Sequence, residues 1–319
     1  DTVVITESNF DTHGFTIHPV FLVQPPDHDL LRGNVPLRAF IPRGLEGVLV
    51  TGLAVGAHRD ALPVIRMQPD VQNQGYAAAL AAVQAIESDR SIREIDVRAL
   101  QRRLVDLRAL PPEVVAQQDS HPIPESRIVW AATAVRSFLV AIATLFSDPA
   151  RAVPALERGL ARARKVLAAD PNETWQRPYA LRAAMILALL GNASGIDLLV
   201  HEIEGSEWDE GWNYRGMGQF GASMSPIDRL IVAAATSGSP DVVDAILDKL
   251  RRLDHESDFS HLRACTLAFE RQPTPEAAPH FERILSGWPV LGRAGGSLSD
   301  SLRDLPTHAT DNEQRNEQL

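Results

Sequence analysis

The chain changes character near residue 88, and this change limits its fold more than any other feature. Before it, "TVVIT", "GFTIHPVFLV", "VPLRAFIP" and "GVLVTG" are β-branched or aromatic runs punctuated by Gly and Pro, the pattern of strands. "EGVLVTG" is entered by a turn and left through glycine, so it predicts a fully buried strand of a parallel sheet. After residue 88 nearly every segment has helical spacing. Three or four strands and one helix bury too little surface to fold alone. The missing strands are expected from the helical half, from a second copy or from a separate polypeptide.

The fold class expected is α+β at the N-terminus, a partial sheet, followed by a mostly α-helical region of HEAT-like helix pairs. "IREIDVRALQRRLVDLRAL" places Ile92, Ile95, Leu100, Leu104 and Leu107 close to helical spacing and stops at Pro111 and Pro112. Beyond a proline-rich linker, "RPYALRAAMILALLG" pairs with "ASGIDLLVHEIEG", and "SPIDRLIVAAATSG" with "SPDVVDAILDKLRRLD". A third, weaker pair is "HLRACTLAFERQ" with "PEAAPHFERILSGW". Small or polar turns divide them, as in stacked helical repeats. The boundaries expected are 1–88 for the sheet-bearing segment, 89–125 for a helix and linker, 126–290 for the helical repeats and 291–319 for a disordered tail.

Composition excludes more than it identifies. A net charge of −10 argues against nucleic acid or an anionic membrane surface as the main partner, since both reward a basic face. The single Cys265 excludes an internal disulfide and any multi-cysteine metal site. No apolar run is long enough to predict a membrane-spanning helix.

The helix "PDVQNQGYAAALAAVQAI" is rich in alanine where a helix that only filled a core would use leucine. Small side chains let a helix lie close to a sheet, a neighbouring helix or a planar ligand. "VPLRAFIPRGLEGVLVTGLAVGAHRDALPVIRMQPDVQNQGYAAALAA" resembles the C-terminal end of the FAD-dependent oxidoreductases of the glutathione-reductase-like superfold. Val35, Pro36, Arg38, Pro42, Gly44, Gly52, His58, Arg66, Met67, Gly75 and Ala78 all match that family's ordered pattern. The upstream "ESNFDTHGFTIHPVF" is similar to its substrate-side sheet. The family opens on a strand, a GxGxxG turn and a helix, which together hold the FAD pyrophosphate. No such unit is found here, and "GRAGGS" at Gly292 follows no strand and opens no helix. The resemblance therefore implies the back half of a flavoenzyme, holding part of an FAD site. The FAD-binding N-terminal half is expected as a partner polypeptide or a missing segment.

The resemblance also implies roles. Gly52, Arg66, Met67, Gln68, Pro69, Asp70, Val71 and Gly75 are expected at the cofactor, where a helix N-terminus stabilises the charge of reduced flavin. Pro69 suits the first helical position. His58 lies over the flavin, either as an acid–base residue or as a hydrogen-bond partner that orders its loop. Arg66 holds the flavin or a substrate anion, or pairs with Asp70. Hydride passes from a small-molecule substrate to flavin N5. His13 and His18 face the substrate. Asp11 and His13 share a strand face with His18 on the other, so no metal site is expected. Trp212 and Tyr214, in the long segment 206–226, either dock the two halves or stack against a ring ligand such as a carbohydrate. The competing reading is a helical-repeat scaffold without catalysis, with residues 1–88 as its docking element.

Overall fold

The structure, a computed structural model, describes residues 1–10, 16–25, 30–118, 120–170, 173–211 and 224–287. Two strands, β1 (Thr2–Ser8) and β2 (Leu31–Pro36), flank helix α1 (Pro19–Val23). Next come α2 (Leu62–Ile65), α3 (Gln68–Ser88), α4 (Val97–Asp106) and α5 (Glu113–Ala116). Then follow α6 (Glu125–Thr133), α7 (Leu139–Ser147), α8 (Pro149–Ala169), α9 (Gln176–Leu189) and α10 (Ile196–Gly205). The last four are α11 (Pro226–Thr236), α12 (Val243–Arg251), α13 (Phe259–Arg271) and α14 (Ala278–Gly287). The chain forms two compact units: the first takes residues 1–13 and 26–122, and the second takes 14–25 and most of the chain from 123 onward.

In the first unit β1 and β2 pair antiparallel, with Val4 opposite Val35 and Thr6 opposite Gly33. Alternation puts Val4, Thr6 and Ser8 on one buried face, against which α2 and α3 pack. Helix α3 buries Asp70, Gln74, Ala77, Ala78, Ala81 and Ala85, a stripe at helical spacing, so its alanines meet the sheet side. Gly33 permits the close approach of α2. A Cβ there would stand 2.7 Å from Thr6 Oγ1 and 3.3 Å from the methyl groups of Val64 and Ile65. Gly33→Val is expected to lower stability by about 1–3 kcal/mol through overpacking, read from the denaturant midpoint. An unchanged midpoint would show that α2 does not seat on the strand.

Three strand expectations are corrected. "EGVLVTG" forms no strand, and Leu45, Val48 and Leu53 are exposed, the last at 70%. A parallel strand needs neighbours on both sides, and the described residues of this unit offer only the β1–β2 pair. The segment instead bends at Glu46 and Gly47, where Gly47 has φ +70°, and Val50 N–H donates to Phe40 C=O at 2.8 Å. In "VPLRAFIP" only the first two residues belong to β2, because Leu37–Phe40 turns into a 3₁₀ helix that buries Leu37 and Phe40. In "GFTIHPVFLV" the described residues, 16–23, do not continue the sheet either. Pro19 opens α1, His18 Nδ1 accepts from Val20 N–H at 3.3 Å, and Val20, Leu22 and Val23 are buried in the second unit.

The second unit is helical throughout its described residues. Helices α9, α11 and α13 lie side by side in one row, and α10 packs on α9, α11 and α12. α9 is buried from Ala183 to Leu189 and α11 from Leu230 to Ala235. Over these stretches neither helix keeps a polar face. α11 starts on a capping box in which Ser225 and Asp228 each accept from the other's backbone N–H. The expected tail, residues 291–319, lies outside the described residues.

Candidate functional site

The residues implied at the cofactor converge at the start of α3. Gly52 has φ +71°, a left-handed backbone that favours glycine, and a Cβ there would lie 3.5 Å from Val71 Cγ1. Its N–H donates to Gln74 Oε1 at 3.0 Å. The same Gln74 amide donates through Nε2 to Ile65 C=O at 2.7 Å. One fully buried side chain thus ties the Gly52 turn and the end of α2 to α3. Gln74 was not among the residues implied by resemblance. Its spacing from Asp70, four residues on the same helix face, is the sequence signal that marks it.

Helix α3 begins at Gln68, with Pro69 second rather than first. Met67 contributes no side-chain cap. The N–H groups of Gln68 and Asp70 in the first turn have no intrahelical acceptor, as at any helix start. Asp70 is 7% exposed, and its Oδ2 has no hydrogen-bond partner. Burial, and secondarily the charge of Glu7, hold its carboxyl above the usual range. Uncapped donors beside a buried, incompletely bonded carboxyl form a cradle for a polar planar edge, and these residues fit the pyrimidine side of a flavin. Arg66 closes α2 and is half-buried, while Gly75 lies on the open face of α3 with nothing within 4 Å of a Cβ.

His58 is exposed and caps the 3₁₀ turn Arg59–Ala61, its Nδ1 accepting from Asp60 N–H at 3.1 Å. His18, placed on a strand by sequence, instead caps α1 in the helical unit, near Phe21 and Phe146. His13, Trp212 and Tyr214 lie outside the described residues. So do Gly216, Gly218 and Gly221, whose spacing "GMGQFG" does satisfy the letters of GxGxxG. In the sequence they come after α10 and the polar run 206–211.

A second polar cluster lies inside the helical unit. Asp228, Ser260 and His261 are all buried. Ser260 Oγ donates to Asp228 Oδ2 at 2.6 Å, and His261 Nδ1 lies 2.6 Å from Asp228 Oδ1. His261 Nε2 lies 3.0 Å from the Asp209 carbonyl. A carbonyl only accepts, so Nε2 carries a hydrogen, and the neighbouring Asp228 carboxyl favours a second one on Nδ1. Burial alone pulls its pKa down, but the bond to Asp228 and the Asp228 charge outweigh this and leave it raised. The residue types are those of a hydrolytic triad, yet the serine bonds the aspartate and the histidine is spent on a carbonyl. The cluster is a buried ion pair that pins α11 to α13.

Comparison with known proteins bears on the first of these sites. Residues 1–104 match the protein-family model described as FAD dependent oxidoreductase. That family is FAD-dependent, and FAD is the cofactor the match supports; the matched segment carries the α3 cradle. No curated protein and no solved structure gives a significant match to the chain. Among the described residues no helix is long and apolar enough to cross a membrane, and no group of three His, Cys, Asp or Glu is placed to hold a metal.

Proposed function

We propose that the first unit forms one side of a flavin-dependent oxidoreductase site. A strand–GxGxxG–helix half on another polypeptide segment completes it, and a small-molecule substrate is oxidised by hydride transfer to flavin N5. The observation that carries this reading is the start of α3, with uncapped N–H groups beside the buried, incompletely bonded Asp70. Bound FAD supplies the two-electron acceptor. The N–H groups of Gln68 and Asp70, at the positive end of a 21-residue helix, favour negative charge at the flavin pyrimidine edge. The raised pKa of Asp70 keeps its carboxyl neutral further up the pH scale and reduces repulsion there. Gln74 fixes the distance between the Gly52 turn and the helix end. His58, whose Nδ1 accepts from Asp60 N–H, is the acid–base residue of this reading. The exposed Leu45, Val48 and Leu53 support docking of the missing half along 45–53.

The test is flavin content. The full chain alone is expected to bind no stoichiometric FAD, and co-expression with its flavin-binding half is expected to give a yellow complex. Stoichiometric FAD on the chain alone would overturn the split site. Asp70→Asn is expected to keep the flavin and to stabilise the protein near neutral pH. A carboxyl with a raised folded pKa costs stability as pH climbs above its unfolded value, and the amide removes that cost. The gain should vanish below the usual carboxylate range, where both states of the wild type are protonated. An equal gain at both pH values would show that ionisation plays no part.

A second reading is a scaffold in which the helical unit only recruits partners. The side-by-side row of α9, α11 and α13 favours it. A co-purified partner with no visible flavin band would select it.

A further inference from the structure

We propose that the helical unit carries a separate binding site for a small organic anion, whose phosphate or carboxylate is held by Arg136, Arg182 and Arg229 over an apolar floor. The site is a cavity of about 340 Å³ that these three arginines line together with Leu181, Met185 and Leu230. Nothing in it depends on the flavin reading, which concerns residues of the other unit.

Three features carry the assignment. The first is like charge with no carboxylate in ion-pair contact. None of the three guanidiniums forms an ion pair with a carboxylate among the described residues. Arg182 and Arg229 are half-buried, and they repel: burial lowers the pKa of each, Arg136 adds to this at Arg182, and Arg182 adds to it at Arg229. Asp209 and Asp228 pull Arg229 the other way; Asp209 accepts from Ile227 N–H through Oδ2, and Asp228 is held by His261, Ser260 and the Ser225 N–H. Gathering cations at low solvent exposure is costly unless an anion joins them.

The second feature is orientation. Arg182 Nη1 donates to the carbonyls of Val135 at 3.3 Å and Arg136 at 3.2 Å and to Gln24 Oε1 at 3.3 Å. Arg229 donates through Nε to Ser225 C=O at 3.3 Å and through Nη1 to Leu22 C=O at 3.5 Å. Arg136 donates to Trp175 C=O at 3.2 Å and lies over the Trp175 ring, 5.0 Å from its centroid. Backbone carbonyls satisfy one side of each fork and bring no net negative charge. A guanidinium has five N–H donors, so Nη2 of Arg182 and of Arg229 keep hydrogens for an oxyanion. The third feature is the floor. Leu181, Met185 and Leu230 fit an aliphatic or ring body behind the charged group rather than a bare ion, and the volume suits a small metabolite.

The experiment uses the full chain and four probes at fixed ionic strength: hexyl phosphate, hexanoate, inorganic phosphate and hexanol. Calorimetric titration is expected to show hexyl phosphate or hexanoate binding more tightly than inorganic phosphate, with hexanol silent. Whichever of the first two binds better identifies the anion. Arg229→Met is expected to weaken that binding about tenfold or more, the scale of a lost charge-assisted hydrogen bond. Its melting temperature without probe is expected to hold or rise, because a repelling charge has gone. A purely structural arginine would behave in the opposite way, with a lower melting temperature and unchanged probe affinity, and that result overturns the proposal. Should Arg229→Met not fold, Arg136→Met, at an exposed position, must show the same loss of affinity. Failure of all four probes to bind, or hexyl phosphate and hexanoate both binding no tighter than inorganic phosphate, also overturns it.

Discussion

Asp228→Ala is expected to destabilise the protein by about 3–5 kcal/mol, the cost of removing one partner from a buried ion pair. The carboxylate is fully buried and accepts from Ser260 Oγ, from Ser225 N–H and from the His261 ring. Its loss removes the partner of His261 Nδ1 and the acceptor of the Ser260 hydroxyl and opens the capping box at the start of α11. The sign of the pH dependence follows from His261, whose folded pKa is raised. Its contribution is fully present below the ordinary histidine value and is lost as pH rises through the higher, folded value. Wild-type unfolding free energy should therefore fall across that window. Asp228→Asn keeps the shape and two hydrogen bonds but not the charge, and its stability should be flat there. Denaturant melts at several pH values check both statements, and a sloping Asp228→Asn profile would show that another group titrates.

Gln74→Leu should have the second-largest effect. It leaves the Gly52 N–H and the Ile65 C=O without their partner, at about 1–3 kcal/mol for each buried group. Because the two groups lie on different segments, the loss also frees the Gly52 turn from α3. Flavin content of the assembled complex should then fall further than global stability explains. Gln74→Glu separates the two effects: it can still accept from Gly52 N–H, but it repels the Ile65 carbonyl. Full flavin content in Gln74→Leu would show that the turn does not bear on the cofactor.

Much of the fold was legible in the sequence. The helices from α9 to α14 follow from apolar spacing broken at "GNAS", "SGSP" and "QPTP", but their pairing does not: α9 packs on α10 as expected, whereas α11 packs on α9 and α13 rather than on α12. The alanine stripe of α3 was equally legible, since Ala77, Ala78, Ala81 and Ala85 recur at the helix period and are buried. The strands were not. "GVLVTG" and "GFTIHPVFLV" carry strand composition, but a strand exists only through its ladder, and short apolar runs do not say what will pair with them. Pro19 and His18 turned the latter into a capped helix, a local signal that outweighed β-branched content.

At the sites, the sequence by itself determined residue type and spacing: the resemblance of 35–88, the small residues beside Asp70, and a glycine at 52. Only the tertiary structure decided that Asp70 is buried with an oxygen unpartnered, that Gln74 joins Gly52 to Ile65, and that Asp228 meets His261 across 33 positions. It alone also brought Arg136, Arg182 and Arg229, distant in sequence, to one cavity. The division has a physical cause. Periodicity and capping act over a few residues and are written locally, whereas burial, pairing and charge proximity depend on which distant surfaces the packing brings together.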